Sequence, residues 1–493
     1  QSRLWPARPY ESLRLRSGKN DYDRPFIRDE LMRRLYADTG QPSSVGAIAA
    51  LYVNGIFRCY YNPVERYDVG YLRDWHGGTN DWDIISHGGV TEGDMVALNA
   101  LIQQATNTDL SVLSNYQAIL EKIDPTNLAD YILANAYGAT WDWPHNNYYM
   151  ARERSARGRF RFYMWDAEGA FGVNFKNDIR FDILYECMTN RNTSARAAIL
   201  YRSLWRSPEF RLLMADRIHR HFFNNGAYTT NNAMRRFLEL KEEADPLIIF
   251  VRGSGITGTY MTVFTNWITS RLPHLFTQFA TNLVWPATGP PLLGTPPGTV
   301  SNGTVVEIVN TNGVGDIYYT LNGEDPRAPG GAVAGTLYTN GVVLNEPARL
   351  LARVRSPSGE WSAVTEGVYS TEEPPPIYVT EIMYHPPGNE PWEFIELYNA
   401  GDEPIELWPL SFTVGIQFSF ATGTVSRLGP RQYVLLVQDL SAFASRFSTN
   451  GLLIAGTFSG RLDNAGERLE LRHEYFGVIH SFTYRDDWYP QTD

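Results

Sequence analysis

Two proline-rich breaks constrain this chain most, because proline neither continues a helix interior nor donates within a central strand. Residues 286–297 are rich in Pro and Gly, and Glu372-Glu373-Pro374-Pro375-Pro376 is stiff in the polyproline sense. They cut 493 residues into three segments, which suits a chain too long for one core. Residues 1 to about 282 mix helical and alternating patterns. Residues 298–370 and 377–493 read as short strands between turns, the spacing of β-sandwiches.

In the first segment, Ile27, Leu31 and Leu35 at helical spacing predict a helix over 25–36. Asn54-Gly55 sets the turn of a hairpin over 47–61. Helices are expected around 93–106, 108–122, 126–138 and 194–225. In the last of these, Leu204, Phe210, Leu213, Met214, Ile218 and Phe222 form a core stripe. His219 and His221 lie two apart, on different faces, and are expected to be solvated. Strands are expected at 305–309, 317–321 and 349–354 in the second segment, and at 377–384, 393–399, 433–437 and 468–472 in the third.

Two polar clusters carry the chemistry. The first is Asp142-Trp143-Pro144-His145-Asn146-Asn147, the second Trp165-Asp166-Ala167-Glu168-Gly169-Ala170-Phe171-Gly172. Between them, Tyr148-Tyr149-Met150 and Phe160-Arg161-Phe162-Tyr163-Met164 read as paired strands. Such a hairpin brings Asp142, Asn147, Asp166 and Glu168 together, an oxygen-donor set that suits Mg²⁺. Asp, then Asn five residues on, then Asp near Phe-Gly is also the polar inventory of a kinase-type site. The same residues also suit plain turn capping at the ends of a hairpin.

Composition excludes several classes. A net charge of −11 argues against nucleic acid as a partner. No apolar run approaches the roughly 20 residues that span a bilayer. Cys59 and Cys187 allow one bridge and no disulfide framework, and the histidines show no zinc-ligand spacing. Asn192-Thr193-Ser194 and Asn302-Gly303-Thr304 match a glycosylation pattern that is common by chance. Gly253-Ser254-Gly255-Ile256-Thr257-Gly258 fits a dinucleotide fingerprint, but no acid lies between Asp245 and Glu307 to hold a ribose, so a loop is expected. Lys19, Lys122, Lys176 and Lys241 are the only lysines, which limits what can pair with a nucleotide phosphate.

Residues 10–282 resemble the CotH kinase family, which has an atypical kinase fold. The matching stretches are Leu13-Arg14-Leu15-Arg16-Ser17-Gly18 with Asn20-Asp21, Val53-Asn54-Gly55, Asn62-Pro63-Val64-Glu65-Arg66, both polar clusters, and Pro208-Glu209-Phe210-Arg211 with Arg217. The resemblance implies Asp142 as catalytic acid/base, Asn147 and Asp166 as Mg²⁺ ligands, and Glu168 as a further metal ligand where the family usually has Asp. It implies ATP with Mg²⁺ as cofactors, held through Asn147 and Asp166; Glu65 is a candidate to orient a lysine, as a helix glutamate does in kinases, and equally a candidate for a salt bridge near Arg66. The family's Lys-rich motif before the Leu-Arg-Leu-Arg stretch is absent; Lys19 sits in a turn, Lys176 follows the second cluster, Ser86 stands where relatives often have Lys, and Cys59 replaces a frequent Gly. Residues 298–370 resemble the small sandwich that ends chitobiases and hexosaminidases, through 318–327, Ala352-Arg353-Val354 and Trp361-Ser362. Residues 377–493 resemble a lamin-tail domain, through 381–386, 393–399 and 462–467. Both ends of the chain are expected to be cut.

The expected architecture is therefore multidomain. An α+β atypical kinase-like domain (1–285) precedes two all-β immunoglobulin-like sandwiches (298–370 and 377–493). The expected function is Mg²⁺-dependent phosphoryl transfer from ATP to a protein hydroxyl, in an exported or cell-surface bacterial protein without a membrane span in this chain. The alternative is a structural or adhesive surface protein with an inactive kinase-like scaffold, whose sandwiches hold a protein or surface polymer. Trp361, Trp392 and Trp408 are candidate stacking residues for that role, although tryptophans of sandwiches are more usually buried. Glycoside hydrolysis has little support, since an accessory sandwich does not confer its neighbour's activity.

Overall fold

Alternation and capping explain the first domain's elements. A computed structural model of the chain describes residues 12–17, 27–44, 46–76, 80–172, 178–189, 194–371, 373–387, 391–464 and 466–485. The elements run β1 (Leu13–Arg16), α1 (Arg28–Ala37), β2 (Ala49–Val53), β3 (Ile56–Glu65), α2 (Val69–His76), β4 (Trp82–Ser86), β5 (Gly89–Glu92), α3 (Val96–Asn107), α4 (Leu113–Leu120) and α5 (Pro125–Gly138). Then come β6 (Tyr148–Glu153), β7 (Arg161–Met164), α6 (Ile183–Met188), α7 (Arg196–Trp205), α8 (Pro208–Phe222), α9 (Thr230–Arg252) and α10 (Gly258–Thr281). Two antiparallel sheets result, ordered β1-β3-β2 and β5-β4-β6-β7.

α5 is the central post of the helical region. Asp124 caps it by accepting from Asn127 N at 3.0 Å, Pro125 opens it, and Ala139 ends it in the left-handed region. Every residue from Asn127 to Gly138 is buried. α1 is unusual in burying its charges. Arg28, Asp29, Glu30, Arg33 and Arg34 are all inside, which requires partners for each ion. Glu30 meets Arg33 and Arg34 at 2.8 Å each and accepts the Gly46 amide, and Arg34 reaches Glu243 of α9 at 2.8 Å.

The 194–225 region is two helices, not one, because the chain breaks before Pro208 at the start of α8. His219 and His221 are buried rather than solvated. His219 Nδ1 lies 2.9 Å from the Val364 carbonyl, and His221 Nε2 lies 3.0 Å from Asp130 on α5. The glycine-rich stretch at 253–258 is the loop between α9 and α10, with Gly253 at φ 78°.

The second domain is a β-sandwich. Its main sheet pairs Asp316–Thr320 with Ala348–Arg355, and the latter with Thr365–Ser370. The run at 305–309 divides at Glu307 between two sheets, as Thr304–Val306 and Ile308–Val309. The domain is locked to α8. Arg353 is 1% exposed and forks both Asp216 of α8 and Asp325 of its own domain at 2.6–2.7 Å, and Arg327 forks Glu209 at 2.6 and 2.7 Å. The third domain stacks two four-stranded sheets over Ile395, Leu397, Phe412, Leu436 and Leu471, and adds a short helix, Leu440–Arg446. Among the described residues, no helix is long and apolar enough to cross a membrane.

Candidate active site

The β6–β7 hairpin does bring the two polar clusters together. Tyr148 pairs with Met164, so Asn147 and Trp165-Asp166 leave the same end of the sheet. Asn147 and Asp166 both sit in the left-handed region, at φ 58° and 57°, which their short polar side chains tolerate. Asn147 Nδ2 donates to Asp142 Oδ2 at 2.6 Å and to the Asp166 carbonyl at 3.1 Å. Its backbone N–H donates to His87 Nδ1 at 3.2 Å. Asp142 approaches this point because residue 169 is glycine: a Cβ there meets Trp141 Cδ1 at 2.7 Å and Asp142 Oδ1 at 3.0 Å.

Asp142 is electrostatically strained. Its Oδ1 is buried with no hydrogen-bond partner. Burial first, and then the Asp166 charge with a smaller share from Glu168, push its pKa up to about 7. A group held near neutrality in this way suits proton transfer.

The cation in this cluster is an arginine. Arg16 Nη1 lies 2.8 Å from Asp29 Oδ2, while Nη2 contacts Asp166 and lies 3.7 Å from Glu168 Oε2. Asp29, in the first turn of α1, also accepts from the Ala167 N–H at 2.7 Å. Burial opposes its charge, but Arg16 and Arg33 outweigh that and hold its carboxyl below the usual range. Arg28 donates to the Ala170 and Phe171 carbonyls at 3.1 and 2.9 Å, tying α1 to the loop after Glu168. The arrangement unites a strand cation, a helix carboxylate and the loop aspartate.

Asp142, Asn147, Asp166 and Glu168 thus gather at one place, and Glu65 sits on β3, the strand beside β1. It ends β3 opposite Leu13, and the carboxylate that orients the strand cation is Asp29. Lys122 bonds Gln104, and Lys241 pairs with Asp245. Lys19, Lys176, Asn20, Asp21, Asn192 and Thr193 lie outside the described residues. Among the described residues, no three His, Cys, Asp or Glu form a metal cage; the Arg16 guanidinium stands among the carboxylates. Arg16, Asp29 and Arg28 are what sequence reasoning missed. Their signal lies in the alternating Leu-Arg-Leu-Arg and in the Arg-Asp-Glu opening of α1.

Comparison with known families adds the following. The family described as CotH kinase protein matches residues 7–247, Fn3 associated matches 306–369, and Lamin Tail Domain matches 370–486. No curated protein matches the chain.

Proposed function

From a chain that carries a CotH kinase domain, an Fn3-associated domain and a lamin tail domain in that order, we propose a phosphoryl transferase that moves the terminal phosphoryl of ATP to a protein hydroxyl. The observation that carries this reading is Asp142. One of its oxygens is buried without a partner, the other is held by Asn147, and its pKa is lifted to about 7 by burial and Asp166. The donor set fits Mg²⁺ in kind: carboxylates from Asp166 and Glu168 and an amide oxygen from Asn147 are hard ligands. Asn147 also serves as the orienting partner of Asp142.

Bound Mg²⁺ supplies charge neutralisation for the nucleotide phosphates. The Asp142 carboxylate accepts the proton of the acceptor hydroxyl. Asn147 fixes the direction of that carboxylate. Arg16, anchored by Asp29, brings positive charge to the edge of the site where a kinase places lysine. An exported or cell-surface location, and a protein or surface-polymer partner held by the sandwiches, belong to the same proposal; the domain combination supports them.

One observation favours a second reading, an inactive kinase-like scaffold. Arg16 already neutralises Asp29 and Asp166, so the cluster is partly satisfied without an added cation. Thermal unfolding of the full chain with Mg²⁺ and ATP separates the two. A higher melting temperature that is lost in Asp166→Ala supports transfer, and no shift at saturating nucleotide supports the scaffold.

A further inference from the structure

We propose that Arg14, seated on the face of Trp165, is the phosphate-contacting cation of this site. The inference rests on the phosphoryl-transfer reading and names a residue that contacts the phosphates.

β1 alternates, so Arg14 and Arg16 project from the same face of the strand while Leu13 and Leu15 are exposed on the other. Both guanidinium groups lie over the Trp165 ring, at 4.6 Å for Arg14 and 4.9 Å for Arg16. Trp165 is itself held by Tyr67 and Tyr149, at 6.0 and 5.5 Å between rings. It directly precedes Asp166, so whatever rests on its face borders the acidic cluster.

The two arginines differ in what occupies their charge. Arg16 meets Asp29, Asp166 and Glu168. Arg14 is half-buried and, among the described residues, pairs with no carboxylate; its one recorded contact is the indole. Arg28 is turned into the Ala170 and Phe171 carbonyls. Arg196 is held by the Ser86 carbonyl and the Tyr148 hydroxyl at 3.2 Å each. Lys122 and Lys241 bond Gln104 and Asp245. Among the described residues, Arg14 is therefore a cation stacked on Trp165 with no hydrogen-bond or ion-pair partner.

A guanidinium stacked on an indole keeps its planar fork of donors at the edge, where it matches two phosphate oxygens. Stacking also fixes its direction, which reduces the ordering penalty when an anion arrives. The ligand class is a polyphosphate chain.

The test is calorimetric titration of the full-length chain with tripolyphosphate, ADP and adenosine, each with Mg²⁺. Arg14→Gln is expected to weaken tripolyphosphate and ADP by about tenfold or more, the loss expected for a hydrogen bond to a charged group, and to leave adenosine unaffected. Arg14→Lys, which keeps the charge but loses the fork and the stacking, is expected to fall between Arg14→Gln and the unmodified chain. The melting temperature of Arg14→Gln without ligand falls only slightly, because Arg14 closes no ion pair and loses only its half-buried stacking on Trp165. Equal tripolyphosphate affinity in Arg14→Gln and the unmodified chain overturns this inference and leaves the phosphoryl-transfer reading standing. Failure of the unmodified chain to bind either ADP or tripolyphosphate overturns both.

Discussion

Arg16 and Asp29 form an ion pair of 2.8 Å that ties the first strand to the first turn of α1. Both side chains are largely withdrawn from water, 10% and 5% exposed. Arg16 keeps Asp166 and Glu168 when Asp29 loses its charge, so Asp29→Asn is expected to destabilise the first domain by roughly 1–3 kcal/mol, read from denaturant unfolding. A loss within experimental error of zero contradicts a structural role for the pair.

The second domain is expected to unfold together with the first, since Arg353 is buried between Asp216 and Asp325 across their boundary. Asp216→Asn removes one arm of that fork and the carboxylate that accepts the Val364 N–H. Calorimetry should then show the second domain melting apart from the first, with faster protease cleavage within 286–297. An unchanged single transition contradicts the coupling.

Gly169→Ala tests how closely the site is built. The added methyl meets Trp141 at 2.7 Å and Asp142 Oδ1 at 3.0 Å, so the carboxylate must move. A shift near 1 Å costs about 100-fold in rate, far more than the roughly 1–3 kcal/mol of stability lost to overpacking would remove from the folded population. Phosphate-transfer kinetics alongside circular dichroism distinguishes this from unfolding.

The lamin tail domain carries a pH-dependent term. Burial pushes Glu467 up to about 8, and Asp463 and Glu393 add to that against the Tyr484 hydroxyl and the Asp463 N–H. Burial likewise lifts Glu393 to about 7, although Arg461 lies 2.9 Å away. Raised carboxyl values mean that the folded state holds protons the unfolded chain has released. Stability therefore falls as pH rises from the ordinary glutamate range to about 8, then levels. The fall attributable to Glu467 should be on the order of 5 kcal/mol and be absent in Glu467→Gln. Chemical denaturation of the third domain between pH 5 and 9 measures it.

Much of this architecture could be read from local chemistry. The Asn54-Gly55 turn, the Asp124-Pro125 start of α5 and the hairpin between the polar clusters all follow from short-range rules. What escaped depended on distant partners. The role of Arg16 is created by α1 and by the loop after β7, far along the chain. His219 looked solvated because the group that covers it, the Val364 carbonyl, belongs to another domain. Trp361 looked like a stacking platform, yet it is 6% exposed and donates to the Gly331 carbonyl; Trp408, at 44%, is the exposed one.

Transfer of labelled terminal phosphate from ATP by the full-length chain tests the central claim most directly. With Mg²⁺ and an acceptor protein, or by self-labelling, incorporation is expected and should disappear in Asp142→Asn and Asp166→Asn, which keep the shape of the site while removing its charge. Incorporation that persists undiminished in both variants, or none in the unmodified chain although it binds nucleotide, contradicts the assignment of Asp142 as the proton acceptor of a phosphoryl transferase.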